Sequence, residues 1–341
     1  MEYIGNINGM GTYQFNPIKI AFVGARGTGK TSLMASMYHE LKEKGVSSFS
    51  VTTETGRILQ ETYGDMLEMI EDTPLNDIVE TTGIAGSSGR DAYVFEGRES
   101  VDDMQFVFPF EFTDMPGGWY TDAEAAALHE EEVRDILLDS SASFLVVDAP
   151  ALFKGGSVHV KDNKTTAVET WYRSNMGLLA QRNHTVILVL SRCERFLSDN
   201  DMKRELFDKA RKEYGLLVRD LRSAGVHVVC SWVETLGGVQ FFKYEKDDAG
   251  VKRAKFIKTG DYEPRNCAMP LILALRHGMK EIEDRLRDEL DDFWEGIATF
   301  FLSIFGLKTS TAAAHECAAR LLAILEDKVG SSESRSTFQI R

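Results

Sequence analysis

The stretch Gly24-Ala25-Arg26-Gly27-Thr28-Gly29-Lys30-Thr31 fits the pattern G-x-x-x-x-G-K-[ST] at every fixed position. A loop of this kind turns successive backbone N–H groups inward around a polyphosphate, and its glycines supply dihedrals that other residues avoid. It has to lie between a strand and the N-terminus of a helix, whose partial positive charge adds to the attraction for anions. Both flanks meet that demand. Ile18 to Val23 reads as a short buried strand, and after Thr31 the residues Leu33, Met34, Met37, Tyr38 and Leu41 recur at helical spacing up to Gly45. Gly24, Gly27, Thr28, Gly29, Lys30, Thr31 and Ser32 are therefore the expected phosphate contacts. Lys30 would reach the β- and γ-phosphates, and the Thr31 hydroxyl would bind Mg²⁺. Arg26 either faces solvent or folds back on the γ-phosphate as a finger.

Downstream, apolar runs at Ala92–Phe95, Met104–Thr113, Ser143–Val147, Thr185–Leu190 and Val226–Cys230 read as strands. Helical patterns lie before and between them at 56–71, 121–139, 165–181 and 202–223, the second of these opened by the capping-box form Thr121-Asp122-Ala123-Glu124. This alternation predicts an α/β, three-layer P-loop NTPase fold with a mostly parallel sheet. Residues 1–17 read as a loose arm, 72–91 as a polar loop and 242–265 as a charged exposed excursion. Pro109 within the strand of Phe106, Phe108, Phe110 and Phe112 departs from a regular central strand. The domain spans 18–290, with a C-terminal helical extension over 291–330 and a polar tail over 331–341. Apolar residues from Met279 to Ile304 step by three and four, which suits a core-facing helix or a seam for a partner helix.

A metal-bound polyphosphate needs an acid at the end of a neighbouring strand. Asp114 opens Asp114-Met115-Pro116-Gly117, where the Gly117 N–H can contact a γ-phosphate. Asp148 ends the strand Ser143–Val147 and is the alternative.

This order of strand, glycine-rich loop, Thr-bearing loop, strand and Asp-Met-Pro-Gly resembles the GTPases of the translation-factor class, which includes the Ras-like switches. Val226 to Cys230, leading into Val233-Glu234-Thr235-Leu236-Gly237-Gly238, is similar to the bacterial double-GTPase group, switch components of conflict or immunity systems. The resemblance spans about 18–290. It implies Mg²⁺ and GTP or GDP as ligands, a protein partner (a second GTPase or an effector), and a threonine closing over the metal: Thr82, with Thr81 and Thr73 as alternatives. It also implies a guanine-reading N-K-x-D, which here is Ser191-Arg192-Cys193-Glu194, with Glu194 for Asp and Arg192 for Lys. Ser231 falls where such proteins place a backbone contact to the base. Gly118 and Trp119 stand where Ras-like switches carry a water-orienting glutamine, so slow hydrolysis is implied. An ATPase using Asp148, or a nucleotide-binding scaffold without turnover, are the other readings.

The composition narrows the partners. The 341 residues carry 39 Lys+Arg against 53 Asp+Glu, a net charge of −14, which opposes general nucleic-acid binding and docking to anionic lipid. No apolar run is long enough to span a bilayer. The four scattered cysteines form no C-x-x-C pair and suit a reduced, cytoplasmic setting.

Overall fold

The computed structural model describes residues 2–7, 10–14, 17–43, 49–51, 53–79, 91–101, 104–120, 123–246 and 252–276, and position 323. Thr121 and Thr82, the stripe 279–304 and the extension over 291–330, apart from position 323, lie outside these residues.

In chain order the elements are β1 (Glu2–Ile7), β2 (Met10–Gln14), β3 (Ile18–Val23), α1 (Lys30–Glu43), β4 (Phe49–Val51), α2 (Thr53–Glu71), β5 (Ile78–Val79), β6 (Asp91–Val101) and β7 (Met104–Asp114). A 3₁₀ turn at Gly117–Tyr120 leads to α3 (Ala123–Asp139), β8 (Ala142–Asp148), α4 (Ala149–Lys154), α5 (Gly156–Asp162) and α6 (Thr165–Gln181). Then come β9 (Thr185–Ser191), α7 (Glu194–Leu197), α8 (Asn200–Ser223), β10 (His227–Trp232), β11 (Gly237–Lys246) and β12 (Lys252–Tyr262).

Strands β7, β3, β8, β9 and β10 run side by side and parallel, and β6 returns antiparallel along β7. Their alternation divides the core into two layers. Ile20, Phe22, Phe144, Val146, Ile187 and Val189 face α1 and α2, meeting Leu33, Met37, Leu59 and Ile70. Ala21, Val23, Leu145, Val147, Val186 and Leu188 face the other way, onto Leu137 of α3, Tyr172 of α6 and Leu217 of α8. That is the expected three-layer α/β fold, with strands buried on both faces. Phe22 meets Phe144 edge-on at 5.1 Å, and Phe95 meets Phe112 at 5.0 Å.

Three stretches differ from the sequence reading. Within the expected arm, β1 and β2 form a hairpin, and β2 pairs with β7 over residues 104–107. Because β3 takes over the same edge of β7 from Phe110 onward, Pro109 falls between the two pairings, where a missing N–H leaves that ladder intact. The expected loop 72–91 contains β5. The charged excursion is a long hairpin, β11 and β12, that joins β5 in a second, three-stranded sheet. Its inward residues Val239, Phe241 and Phe256 enter the core on the α1 side. The helical stretch 269–276 is seated there by the Glu40 carboxylate, which accepts the N–H groups of Asn266 and Ala268 at 3.3 and 2.8 Å.

One buried polar chain ties the second layer together. His184 is fully buried, with Nδ1 2.7 Å from the Ser140 carbonyl and Nε2 2.8 Å from Ser143 Oγ, which lies 2.8 Å from the Tyr172 hydroxyl. The carbonyl accepts only, so every role follows: Nδ1–H donates to Ser140, Ser143 donates to Nε2, and Tyr172 donates to Ser143. Burial pushes the His184 pKa down to about 4, against the upward pull of the hydrogen bond to the Ser140 carbonyl. The unfolded chain takes up the second ring proton near pH 6.5, so the stabilisation is complete above 6.5 and is lost as pH falls toward 4, by roughly 3 kcal/mol. His184→Gln removes the titration. Its unfolding free energy, followed by denaturant titration between pH 7 and pH 4, is expected to fall less steeply than that of the parent chain.

Candidate functional site

The carboxyl ends of β3, β7, β8 and β9 open on one side of the sheet, where doubly wound folds hold ligands. Register sets what gathers there: Phe22 stands opposite Asp114, Val23 opposite Leu145, and Asp148 opposite Ser191. The glycine-rich loop leaves β3 with Gly27 and Gly29 at φ 83° and 92°, left-handed values that favour glycine. Thr28 is buried and its hydroxyl donates to the Ala25 carbonyl at 2.9 Å, closing the loop on itself. Ser32 is half-buried in the first turn of α1, and Arg26 is exposed on the loop.

Lys30 begins α1 and is 7% exposed. Its ammonium donates to the Gly24 carbonyl at 3.0 Å and lies 4.0 Å from Asp114 Oδ1. Burial lowers its pKa and the nearby Asp114 opposes that shift. An anion in the loop would hold the charged form more firmly. Thr31 donates to Asp114 Oδ2 at 2.9 Å, and Asp114 is fully buried. A hydroxyl and a carboxylate, both hard oxygen donors, suit Mg²⁺, which takes its other ligands from phosphate and water.

Asp148 is committed elsewhere. It is 3% exposed, accepts the Tyr244 hydroxyl through Oδ2, and lies 3.5 Å from Arg192 Nη1 through Oδ1. Of the two acids considered from sequence, Asp114 is the one that meets Thr31.

Gly117 presses on the loop. A Cβ there would lie 2.3 Å from Arg26 N and 2.6 Å from the Ala25 carbonyl carbon, so no other residue fits without movement. Beyond it, Trp119 stacks on His129 of α3, with centroids 4.2 Å apart and planes 9° from parallel.

The loop expected to read the base starts at Ser191, which donates to Thr28 O at 2.7 Å and lies 3.1 Å from Val147 O. This hydroxyl ties the loop to the phosphate loop and to β8, a role the sequence reading missed because it weighed Ser191 only as a poor substitute for Asn. Arg192 has φ 58°, and its Nε lies 3.9 Å from where a Gly29 Cβ would be. Glu194 is 7% exposed; Oε1 accepts the Leu236 N–H at 2.9 Å, and Oε2 has no hydrogen-bond partner among the described residues. Burial pushes its pKa up to about 7, with the Leu236 N–H pulling down and Glu234 pushing up.

The expected strand end at Cys230 is a correction: β10 runs on to Trp232, and Ser231 lies inside it, fully buried and in register with Val189. The backbone beside Glu194 is that of 234–237, marked by Leu236. The usable signal was Gly237-Gly238: a Cβ on either would stand about 2 Å from the backbone at the end of β12 or just past it, at 1.9 Å from Asp261 O and 2.0 Å from Glu263 O.

Gly117→Ala is expected to push the Asp114–Tyr120 segment off the loop. Unfolding should show a loss of about 1–3 kcal/mol, and amide exchange over 114–120 should rise while that of β9 stays unchanged. Unaltered exchange would mean that the contact is not what holds this segment.

A search of the curated proteins finds no match. Among solved structures, the signal recognition particle receptor SRb-GTP/SRX complex from Chaetomium thermophilum is similar at 14% identity, covering 65% of this chain and 93% of that chain with a TM-score of 0.36; the sheet order above carries the fold assignment without it. The model of the family Double-GTPase 2 matches residues 18–231, more than half of the chain. The chain therefore belongs to the Double-GTPase 2 family and, at that general level, is a GTP-binding P-loop protein.

Proposed function

We propose that the chain is a Mg²⁺-dependent GTP switch of low intrinsic turnover that acts on a protein partner. The observation that carries this is the meeting of Thr31 with Asp114 at 2.9 Å, with Gly117 packed on the same loop. One short segment thus ends in the metal-side acid and in a glycine whose position depends on what the loop holds. The family match supports guanine as the base. A bacterial defence setting rests on the family likeness alone.

In this reading the N–H groups of residues 27–30 and the Lys30 ammonium hold the phosphates. Thr31 and Asp114 hold the metal, which would supply charge neutralisation at the β- and γ-oxygens. Arg192 covers the base and Glu194 accepts from its edge, while Thr82 closes the metal side. Gly118 offers no side chain to water, and Trp119 is held on α3 by His129, which supports slow hydrolysis. Arg26 is then the residue on which transition-state charge falls, so single-turnover hydrolysis should collapse in Arg26→Ala. The engagement of Asp148 by Arg192 and Tyr244 weighs against an ATPase that uses Asp148 as its metal-side acid.

Titration with labelled GDP, GTP, ADP and ATP, with Mg²⁺ or EDTA, tests the reading. Guanine nucleotides should bind more tightly than adenine ones, and Lys30→Ala should weaken them by roughly 10–100-fold. Glu194 must be ionised to accept two guanine donors. With a pKa of about 7, GDP affinity should rise roughly tenfold from pH 6 to pH 8, and Glu194→Gln should be weaker and flat. Equal affinity for ADP would sink the base assignment.

A further inference from the structure

We infer that Asp148 and Tyr244 are positioning residues for Arg192, so that the β11–β12 hairpin sets the geometry of the cation on the base side. This rests on the base-site reading of Arg192 above and adds to it a control element outside the region matched by the family.

The Asp148 carboxylate is buried and needs partners to stay ionised. It has one on each oxygen: Arg192 Nη1 at 3.5 Å on Oδ1, and the Tyr244 hydroxyl on Oδ2. Its backbone is clamped as well. The Asp148 N–H donates to Asn163 Oδ1 at 2.7 Å, and Asn163 Nδ2 donates back to the Asp148 carbonyl at 3.2 Å. The carboxylate therefore works from a fixed point. Arg192 is the part that needs fixing, since it takes a left-handed turn and its side chain is 16% exposed, lying along Gly29. A planar guanidinium held from one side by a carboxylate presents a defined face on the other, which a lysine ammonium does not.

Tyr244 is anchored from the hairpin side. Its ring lies 4.8 Å from that of Phe241, and Lys154 of α4 sits 5.6 and 5.7 Å from the Tyr244 and Phe241 centroids. The hairpin thus grips α4, the helix that begins at Asp148, and delivers one hydroxyl to the acid that orients Arg192. Any movement of the hairpin reaches the base side through that hydroxyl.

Tyr244→Phe removes the hydroxyl and keeps the ring. Two readouts are taken in the full chain: amide exchange over 191–197 without nucleotide, and affinity for GDP and for pyrophosphate. Exchange over 191–197 should rise severalfold, and GDP affinity should fall roughly 3–10-fold while pyrophosphate affinity is unchanged. In an Arg192→Ala background the same substitution should cause no further GDP loss. Asp148→Asn should behave like Tyr244→Phe, and if it fails to fold, Tyr244→Phe decides alone. Glu245→Gln, on the exposed part of the hairpin, is the control and should change nothing. No change in exchange, or a GDP loss that adds fully to that of Arg192→Ala, overturns the proposal. If exchange responds but the parent chain does not bind GDP, the coupling to Arg192 stands and the base-site reading fails.

Discussion

Everything at the phosphate end depends on the pairing of β3 with β7 in one register, with Phe22 opposite Asp114. Strand side chains alternate between faces, so a slip of one residue would send Asp114 to the wrong side and bring Thr113 in its place. The register is held by the aromatic contacts of Phe22 with Phe112 and Phe144, and of Phe95 with Phe112, all deep in the α1-side core. Thr31 is placed independently, as the second residue of α1. Two elements with separate packing are thereby brought to a 2.9 Å hydrogen bond, and the core behind them is what makes that distance reproducible.

The base side is built on a different principle. Its functional candidates are buried polar groups, each with a specific partner: Ser191 to Thr28, Arg192 to Asp148, Glu194 to Leu236. Buried charges are costly when alone and specific when paired. The raised pKa of Glu194, about 7, and the equally raised one of Glu234, also about 7, reflect that cost. Burial is the main cause of both shifts, and for Glu194 the nearby Glu234 adds a smaller upward push.

How much of this could be read from the sequence follows the range of the forces involved. The phosphate loop, the alternation of strand and helix, and Asp114 were legible because each is set by residues adjacent in sequence. The hairpin β11–β12 was not, because Lys243, Glu245, Lys246, Lys252 and Arg253 give it the charge of a solvent loop; the informative residues were Val239 and Phe241, which point inward at the spacing of a strand. The end of β10 was set too early because it is decided across the sheet: the Val233 N–H donates to Leu190 O at 2.8 Å, and the Cys193 N–H reaches Val233 O at 3.2 Å. The tether from Ser191 was hidden for a related reason. A serine hydroxyl can do the linking part of an asparagine's work only if a carbonyl 163 positions away comes within 2.7 Å, and nothing local announces that.

The two halves of the site meet at the loop itself, and this limits how a switch built this way can operate. A ligand shifts a conformational equilibrium only by binding its states unequally. In the proposed switch, GDP and GTP differ at the γ-phosphate alone, so the difference has to be felt where a third phosphate would arrive, and Gly117, packed against Arg26 N, is the group proposed to feel it. The base end is the same in both nucleotides and contributes to affinity without contributing to the switch. The segment 114–120 connects that contact to Trp119 on His129 and so to α3, whose outer face carries Glu130, Glu131, Asp135 and the largely exposed Leu128. In the proposed switch, a partner would read the nucleotide state through α3, because the stacking of Trp119 on His129 ties the segment that carries Gly117 to that helix.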